Sequence, residues 1–305
     1  MSSPGGERDG AHRIRQSGLL WFTVVAGLAV VGAGVGVLVV GISGSISQQA
    51  RAQAATGYRA GATSQSAAEP PAILPVSVSA RDLAKLPRAT TFTRIPAAPL
   101  DLAPFAAASG LVVHPLSSQV LYAGPGKQPI AVLPVTQLGG PTWVPMVQTS
   151  QGWAQVLLPS RPNRSTGWIY TGGSSGSRLE IRSSAYVIRI QLGVRKLSVD
   201  DGSQSLGTWT VAVGTSRTPT PTGRTFLLAS LAPPHPTYSP LILPLGSHSN
   251  AFSTFGGGPG TVGLHGWPDP SVFGHAISNG CVRVPADALR VLASIPLGSL
   301  VMITQ

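Results

Sequence analysis

The sequence predicts a mainly β protein in three parts: an N-terminal transmembrane helix, a small β-barrel, and a C-terminal β-sandwich with a short helix. Three observations lead there. The 305 residues include 37 Gly and 28 Pro but only 10% charged residues, a composition that disfavours a helical bundle and suits short strands joined by many turns. One uncharged apolar run near the N-terminus is long enough to cross a bilayer. Beyond residue 109 the apolar residues fall into short alternating runs bounded by turn residues, the pattern of half-buried strands. At this length the chain holds two modest domains or one large one.

From Leu19 to Ile42 the chain carries no charge and is rich in Val, Leu and Gly, which exceeds the roughly 20 residues needed to span as a helix. Arg8, Arg13 and Arg15 precede this run and Arg51 is the nearest basic residue after it. Residues 1–18 are therefore expected in the cytoplasm and the remainder outside, giving a single-pass protein of the cell membrane. A cleaved signal peptide is the competing reading, since Ala50-Arg51-Ala52 offers small residues in a cleavage-like pattern, but its apolar core would be too long.

Residues 43–108 are rich in Ala, Ser and Pro without sustained periodicity. Such a segment reads as a flexible linker that buries too little apolar surface to offset chain entropy. Asp82 to Leu86 has the pattern of a helical turn that Pro87 stops. Within 109–173, short apolar runs at 120–122, 130–133, 143–147, 152–156 and 167–169 alternate with turns such as Gly124-Pro125-Gly126, which suits a small barrel. The Gly152-Trp153 and Gly167-Trp168-Ile169 pieces resemble bacterial SH3-like domains. Trp143, Trp153 and Trp168 either stack on a ligand or belong to the core and rim; in a small barrel the second is commoner.

In the C-terminal part, from 182 to 305, Ile188, Ile190 and Leu192 alternate with polar positions. Asp200-Asp201-Gly202 signals a hairpin turn followed by a returning strand through Trp209–Val213. A further strand over residues 261–264 leads to His265. Pro285 opens a helix running to Ala293, with Leu289 and Leu292 facing inward. This part is expected to be a β-sandwich with its chemistry on the loop between Leu264 and Arg283.

That loop contains Cys281, the only cysteine of the chain. Outside the cell paired cysteines are the usual pattern, so a single one is an inert buried thiol, an intermolecular link or a reactive group. Residue type alone favours the inert thiol. His265 lies sixteen positions earlier on the same segment, however, and a thiol with an available imidazole is the material of nucleophilic catalysis: sulfur attacks a carbonyl and the imidazole returns a proton to the departing amine. Gly266 and Gly280 lack a Cβ, so backbone N–H groups there can approach a developing oxyanion.

His265-Gly266 followed by Ser278-Asn279-Gly280-Cys281-Val282-Arg283 resembles the signature of bacterial L,D-transpeptidases of the YkuD type. Upstream, Val211-Ala212-Val213-Gly214 and Thr218-Pro219-Thr220-Pro221-Thr222-Gly223 resemble that family's strand and its Thr-Pro-Thr-Gly turn. The resemblance implies a cysteine-dependent acyl transferase acting on peptidoglycan stem peptides: Cys281 the nucleophile, His265 the base and acid, and 3-to-3 cross-links the product. It further implies oxyanion and orienting roles for Gly280 and Ser278, Ser278 otherwise being a loop turn. Arg283, Gly266 and Asn279 are expected to bind substrate, Arg283 taking either a stem carboxylate or an internal ion pair with Asp287. Many members have histidine where Asn279 stands, a change expected to tune the site without disabling it. His275 is the fallback base.

Water as acceptor would make the enzyme a carboxypeptidase, and a wall-binding protein without activity is the competing class. No metal or cofactor is required, and His12, His114, His235 and His248 are too dispersed for a metal motif. Lys and Arg outnumber Asp and Glu by 21 to 10, but they are scattered and not interleaved with aromatics, so no nucleic-acid partner is expected. The sequence leaves oligomeric state open.

Overall fold

Short alternating strands closed by positive-φ turns build nearly all the regular structure in the computed structural model, which describes residues 72–173, 178–255 and 257–305. The tail expected at 1–18, the membrane segment expected at 19–42 and residues 43–71 of the expected linker lie outside these. Among the described residues no helix is long and apolar enough to cross a membrane.

The first sheet comprises β1 (Leu111–Pro115), β2 (Gln119–Tyr122), β3 (Pro129–Leu133), β6 (Val144–Ser150), β7 (Trp153–Leu157), β8 (Thr166–Tyr170) and β9 (Leu179–Ser183), while β4 (Thr136–Gln137) and β5 (Gly140–Pro141) pair separately. Its strand order is β3-β2-β8-β7-β6-β1-β9. All five apolar runs predicted between 120 and 169 form strands. Gln151 and Gly152, at φ 38 and 80, join β6 to β7 in a two-residue turn whose double positive φ matches the twist of the flanking strands. Trp143, Trp153 and Trp168 are all buried, Trp153 donating its Nε1–H to Ile73 O.

The second part is a sandwich. One layer orders β12 (Gln204–Thr210), β11 (Lys196–Asp201), β10 (Tyr186–Gln191), β19 (Leu300–Thr304) and β14 (Gly223–Phe226), with β10 and β19 parallel. The facing layer holds β15 (Ile242–His248), β16 (Thr261–Gly266) and β18 (Val282–Val284), and beside it β13 (Val213–Gly214) pairs with β17 (Ala276–Ser278). Ile188, Ile190, Val199 and Ile303 from one layer meet Leu243, Val262, Leu264 and Val282 from the other in one apolar cluster. The returning strand of the Asp-Gly hairpin starts at Gln204 and ends at Thr210, earlier than expected, because Gly202 at φ 58 makes the turn at once. A four-residue helix, α1 (Ala80–Leu83), is capped by Ser79, and α2 (Ala286–Ala293) takes Pro285 as N-cap and buries Leu289 and Leu292 as predicted.

The expectation of a flexible linker up to 108 is corrected over its last third. Backbone hydrogen bonds join Ala89 to Val132, Ile95 to Arg161 and Asp101 to Arg164, and Ala89 and Ile95 are buried in the core of the first sheet. Arg224 of β14 forks onto Asp101 with Nε–Oδ2 2.7 Å and Nη2–Oδ1 2.8 Å, both side chains buried. The same guanidinium donates to the carbonyls of Ala106 and Ala107. The segment is held by partners that lie 43 to 123 positions further on, which local periodicity cannot register.

Candidate active site

The parallel pairing of β16 with β18 performs the decisive step. Its register sets Leu264 beside Val282 and His265 beside Arg283, so Cys281, one residue before β18, arrives next to the strand that carries His265. Both residues line one cleft of about 230 Å³. The predicted catalytic loop is thus two adjacent strand ends.

The turn before Cys281 is fixed by the upstream Thr-Pro repeat. Thr218 Oγ1 donates to Ser278 O at 2.9 Å, Thr220 Oγ1 donates to Gly280 O at 2.9 Å, and Gly214 N donates to Thr220 Oγ1 at 2.9 Å. A Cβ on Gly214 would fall 2.3 Å from Thr218 O, which explains a glycine there. Gly280 has φ 114, a conformation that side chains resist.

His265 is buried, and its Nδ1 lies 2.8 Å from Gly266 O. A carbonyl only accepts, so Nδ1 carries the proton and Nε2 of the neutral ring holds the lone pair. Gly266 N in turn donates to Ser239 Oγ at 2.7 Å, and the Tyr238 ring meets the imidazole edge-on at 5.0 Å. Burial pushes the His265 pKa down; the Gly266 bond opposes this and the Arg283 charge adds to it. Burial pushes the Cys281 thiol up, against smaller opposing effects from the Gly263 backbone and Arg283. Both shifts favour a neutral thiol beside a neutral imidazole.

Other predicted residues take different parts. Ser278 does not orient His265: its Oγ donates to Cys281 O at 2.5 Å and accepts from Gly280 N at 3.1 Å. Gly280 N–H is therefore engaged within the turn, and Gly266, expected against substrate, supplies the orienting carbonyl. The Arg283–Asp287 pair does not form. Arg283 lies over the Trp267 ring at 3.5 Å, while Asp287 accepts from Trp209 Nε1 at 2.8 Å. Arg283 Nε is buried without a hydrogen-bond partner. Asn279 is exposed next to Cys281, and His275 is exposed and does not line the cleft.

Three cleft residues that sequence reasoning missed come from outside the C-terminal part: Thr91, Phe92 and Leu138. Thr91 Oγ1 bonds Thr261 Oγ1 at 2.6 Å, and His248 Nε2 donates to Thr91 O at 2.8 Å. Burial holds His248 down at about 4. Arg161 reaches the loop that forms another cleft wall, donating to the carbonyls of Ser249, Phe252 and Pro259 at 3.1, 3.0 and 3.0 Å. No local motif marks such a residue; its partners are about 90 positions away. Among the described residues no group of three or more His, Cys, Asp or Glu side chains is placed to hold a metal.

Among solved structures the chain is similar to an L,D-transpeptidase from Mycobacterium smegmatis, at 12% identity over 50% of this chain and 91% of that one, TM-score 0.34. It is also similar to the catalytic domain of the E. faecium L,D-transpeptidase, at 15% identity over 40% and 98%, TM-score 0.31. In sequence it is 26% identical over 121 residues to the YkuD protein of Bacillus subtilis, named as a candidate L,D-transpeptidase, the match spanning 39% of this chain and 66% of that protein. The like-named protein of Bacillus licheniformis is 28% identical over 154 residues, 49% and 86% of the two chains. Residues 185–303 match the family model YkuD, L,D-transpeptidase catalytic domain.

Proposed function

We propose that this chain is a membrane-anchored peptidoglycan L,D-transpeptidase that forms 3-to-3 cross-links through a thioester on Cys281. One observation carries the reading: a lone thiol just before β18 and a neutral, Nδ1-protonated imidazole on the neighbouring parallel strand β16 line one open cleft. His265 Nε2 takes the thiol proton as sulfur bonds to the carbonyl carbon of the third stem residue. The tetrahedral intermediate collapses with loss of the terminal D-alanine, whose amine receives that proton from His265. An amine of a neighbouring stem then attacks the thioester, gives a proton to His265, and expels the thiolate, which is reprotonated. With Gly280 N–H engaged in the turn, the Cys281 backbone N–H stabilises the oxyanion, a contribution of about 2.7–4 kcal/mol for such a donor in comparable sites.

The apolar segment at 19–42 supports a single-pass anchor with the catalytic domain facing the wall. Residues 109–173 are read as an SH3-like domain that, together with 87–108, completes one wall of the cleft.

The test is intact-mass measurement after incubation with a carbapenem. A stoichiometric adduct on the native chain and none on Cys281→Ala is the expected result. An unmodified native chain would refute the acyl-enzyme and leave a wall-binding protein. With disaccharide-tetrapeptides, dimers support the transpeptidase, whereas tripeptides alone identify water as the acceptor.

A further inference from the structure

Away from the cleft, the first sheet carries an aromatic groove that the acyl-transfer chemistry does not use. We propose that Tyr122, Trp153 and Tyr170 form a binding site for an extended, proline-containing peptide, and that the chain's own Ile73–Val76 fills it as a ligand in cis. Trp153 Nε1 donates to Ile73 O at 2.7 Å and the Tyr122 hydroxyl donates to Val76 O at 3.1 Å. The two tyrosine rings flank the indole edge-on at 5.2 and 5.1 Å. The accepting carbonyls are three residues apart, and a polyproline II helix repeats every three residues, so both lie on one face of such a segment. Pro75 stands between them, fixing its own φ in that region.

The bound segment behaves as a ligand and not as part of the sheet. Residues 72–79 form neither helix nor strand, and no turn or loop backbone hydrogen bond among the described residues involves 72–78. The segment is held by side-chain donors and apolar contact, the mode in which aromatic grooves take preformed extended peptides. Ile73, Leu74 and Val76 remain 40%, 67% and 45% exposed. Gly126 lets the segment lie close: a Cβ there would stand 2.9 Å from Ile73 Cγ2. Cis occupancy has a quantitative consequence. A ligand on a short tether competes at an effective concentration of about millimolar, so a peptide in trans meets a groove that is mostly filled.

The experiment uses the full chain in detergent and a fluorescent peptide of residues 72–78, Ala-Ile-Leu-Pro-Val-Ser-Val, followed by anisotropy. The groove reading expects the peptide to bind Ile73→Asp at least about tenfold more tightly than the native chain. Val76→Asp serves as an independent second release of the segment. Adding Tyr122→Phe to either should weaken the peptide again by about fivefold, the effect of one hydrogen bond. Equal affinity for native and both released chains, or indifference to Tyr122→Phe, overturns the proposal. Thermal melts that match the native chain establish that the fold is retained, and the Cys281 adduct assay reads the catalytic reading separately.

Discussion

Replacing Asp101 by alanine tests whether residues 87–108 belong to the folded unit. Arg224 would lose both arms of its fork, at 2.7 and 2.8 Å, while its side chain stays 4% exposed among the remaining carbonyl contacts. Each hydrogen bond to a charged group contributes about 1.5–3 kcal/mol. Removing one partner of a buried pair costs about 3–5 kcal/mol, because the other charge is left unpaired in a poor solvent. For a unit of this size each kcal/mol lowers Tm by about 2–4 °C, so a fall of about 6–20 °C is expected by calorimetry. The double replacement Asp101→Leu with Arg224→Met removes both charges and should recover most of the loss. A single-substitution cost below about 1 kcal/mol would refute the reasoning and return this segment to the status of a loose tether.

Cys281 alkylation by iodoacetamide should rise with pH to a midpoint above the ordinary thiol value of about 8.5, since burial disfavours the thiolate. Arg283→Gln removes an attraction that lowers the thiol pKa, so its profile moves further up; a native midpoint below about 8.5 contradicts the neutral pair. Arg161→Met deletes three hydrogen bonds to the 249–259 loop, and hydrogen exchange at Ser249 and Phe255 should accelerate at least about 30-fold, the equivalent of about 2 kcal/mol. Arg161→Lys restores charge without the fork and should recover little; unchanged exchange in Arg161→Met shows that the loop holds itself. His248, depressed to about 4, stays neutral in the folded chain while the unfolded chain takes up a proton below about 6.5. Its contribution is complete above about 6.5 and is lost as pH falls toward 4, about 3 kcal/mol in all. His248→Gln keeps a donor for Thr91 O and should flatten that part of the stability profile measured by urea titration.

Much of the catalytic part was legible because its signals are local. Alternation marked β10, the Asp-Gly turn marked the β11–β12 hairpin, Pro285 marked the start of α2, and the cysteine and histidine motifs named the two residues that line the cleft. The Thr-Pro repeat was visible as a pattern, but its work, hydroxyl bonds to the carbonyls of Ser278 and Gly280, needed the fold. Sequence could not decide between substrate and Asp287 for Arg283, because a guanidinium satisfies either and the aromatic ring of Trp267 took the position instead. Gly266 took the orienting role expected of Ser278, which instead braces the turn, for a similar reason: which carbonyl faces an imidazole depends on backbone direction, not on residue type.

The sequence by itself determined the candidate reactive groups, since one thiol, one His-Gly pair and their flanking glycines are marked by local pattern alone. Tertiary structure decided what encloses them. Thr91, Phe92 and Leu138 reach the cleft, and Arg161 braces its loop, through contacts between residues far apart in the chain. Such contacts are fixed by the packing of whole sheets against one another, and no window of neighbouring residues encodes them.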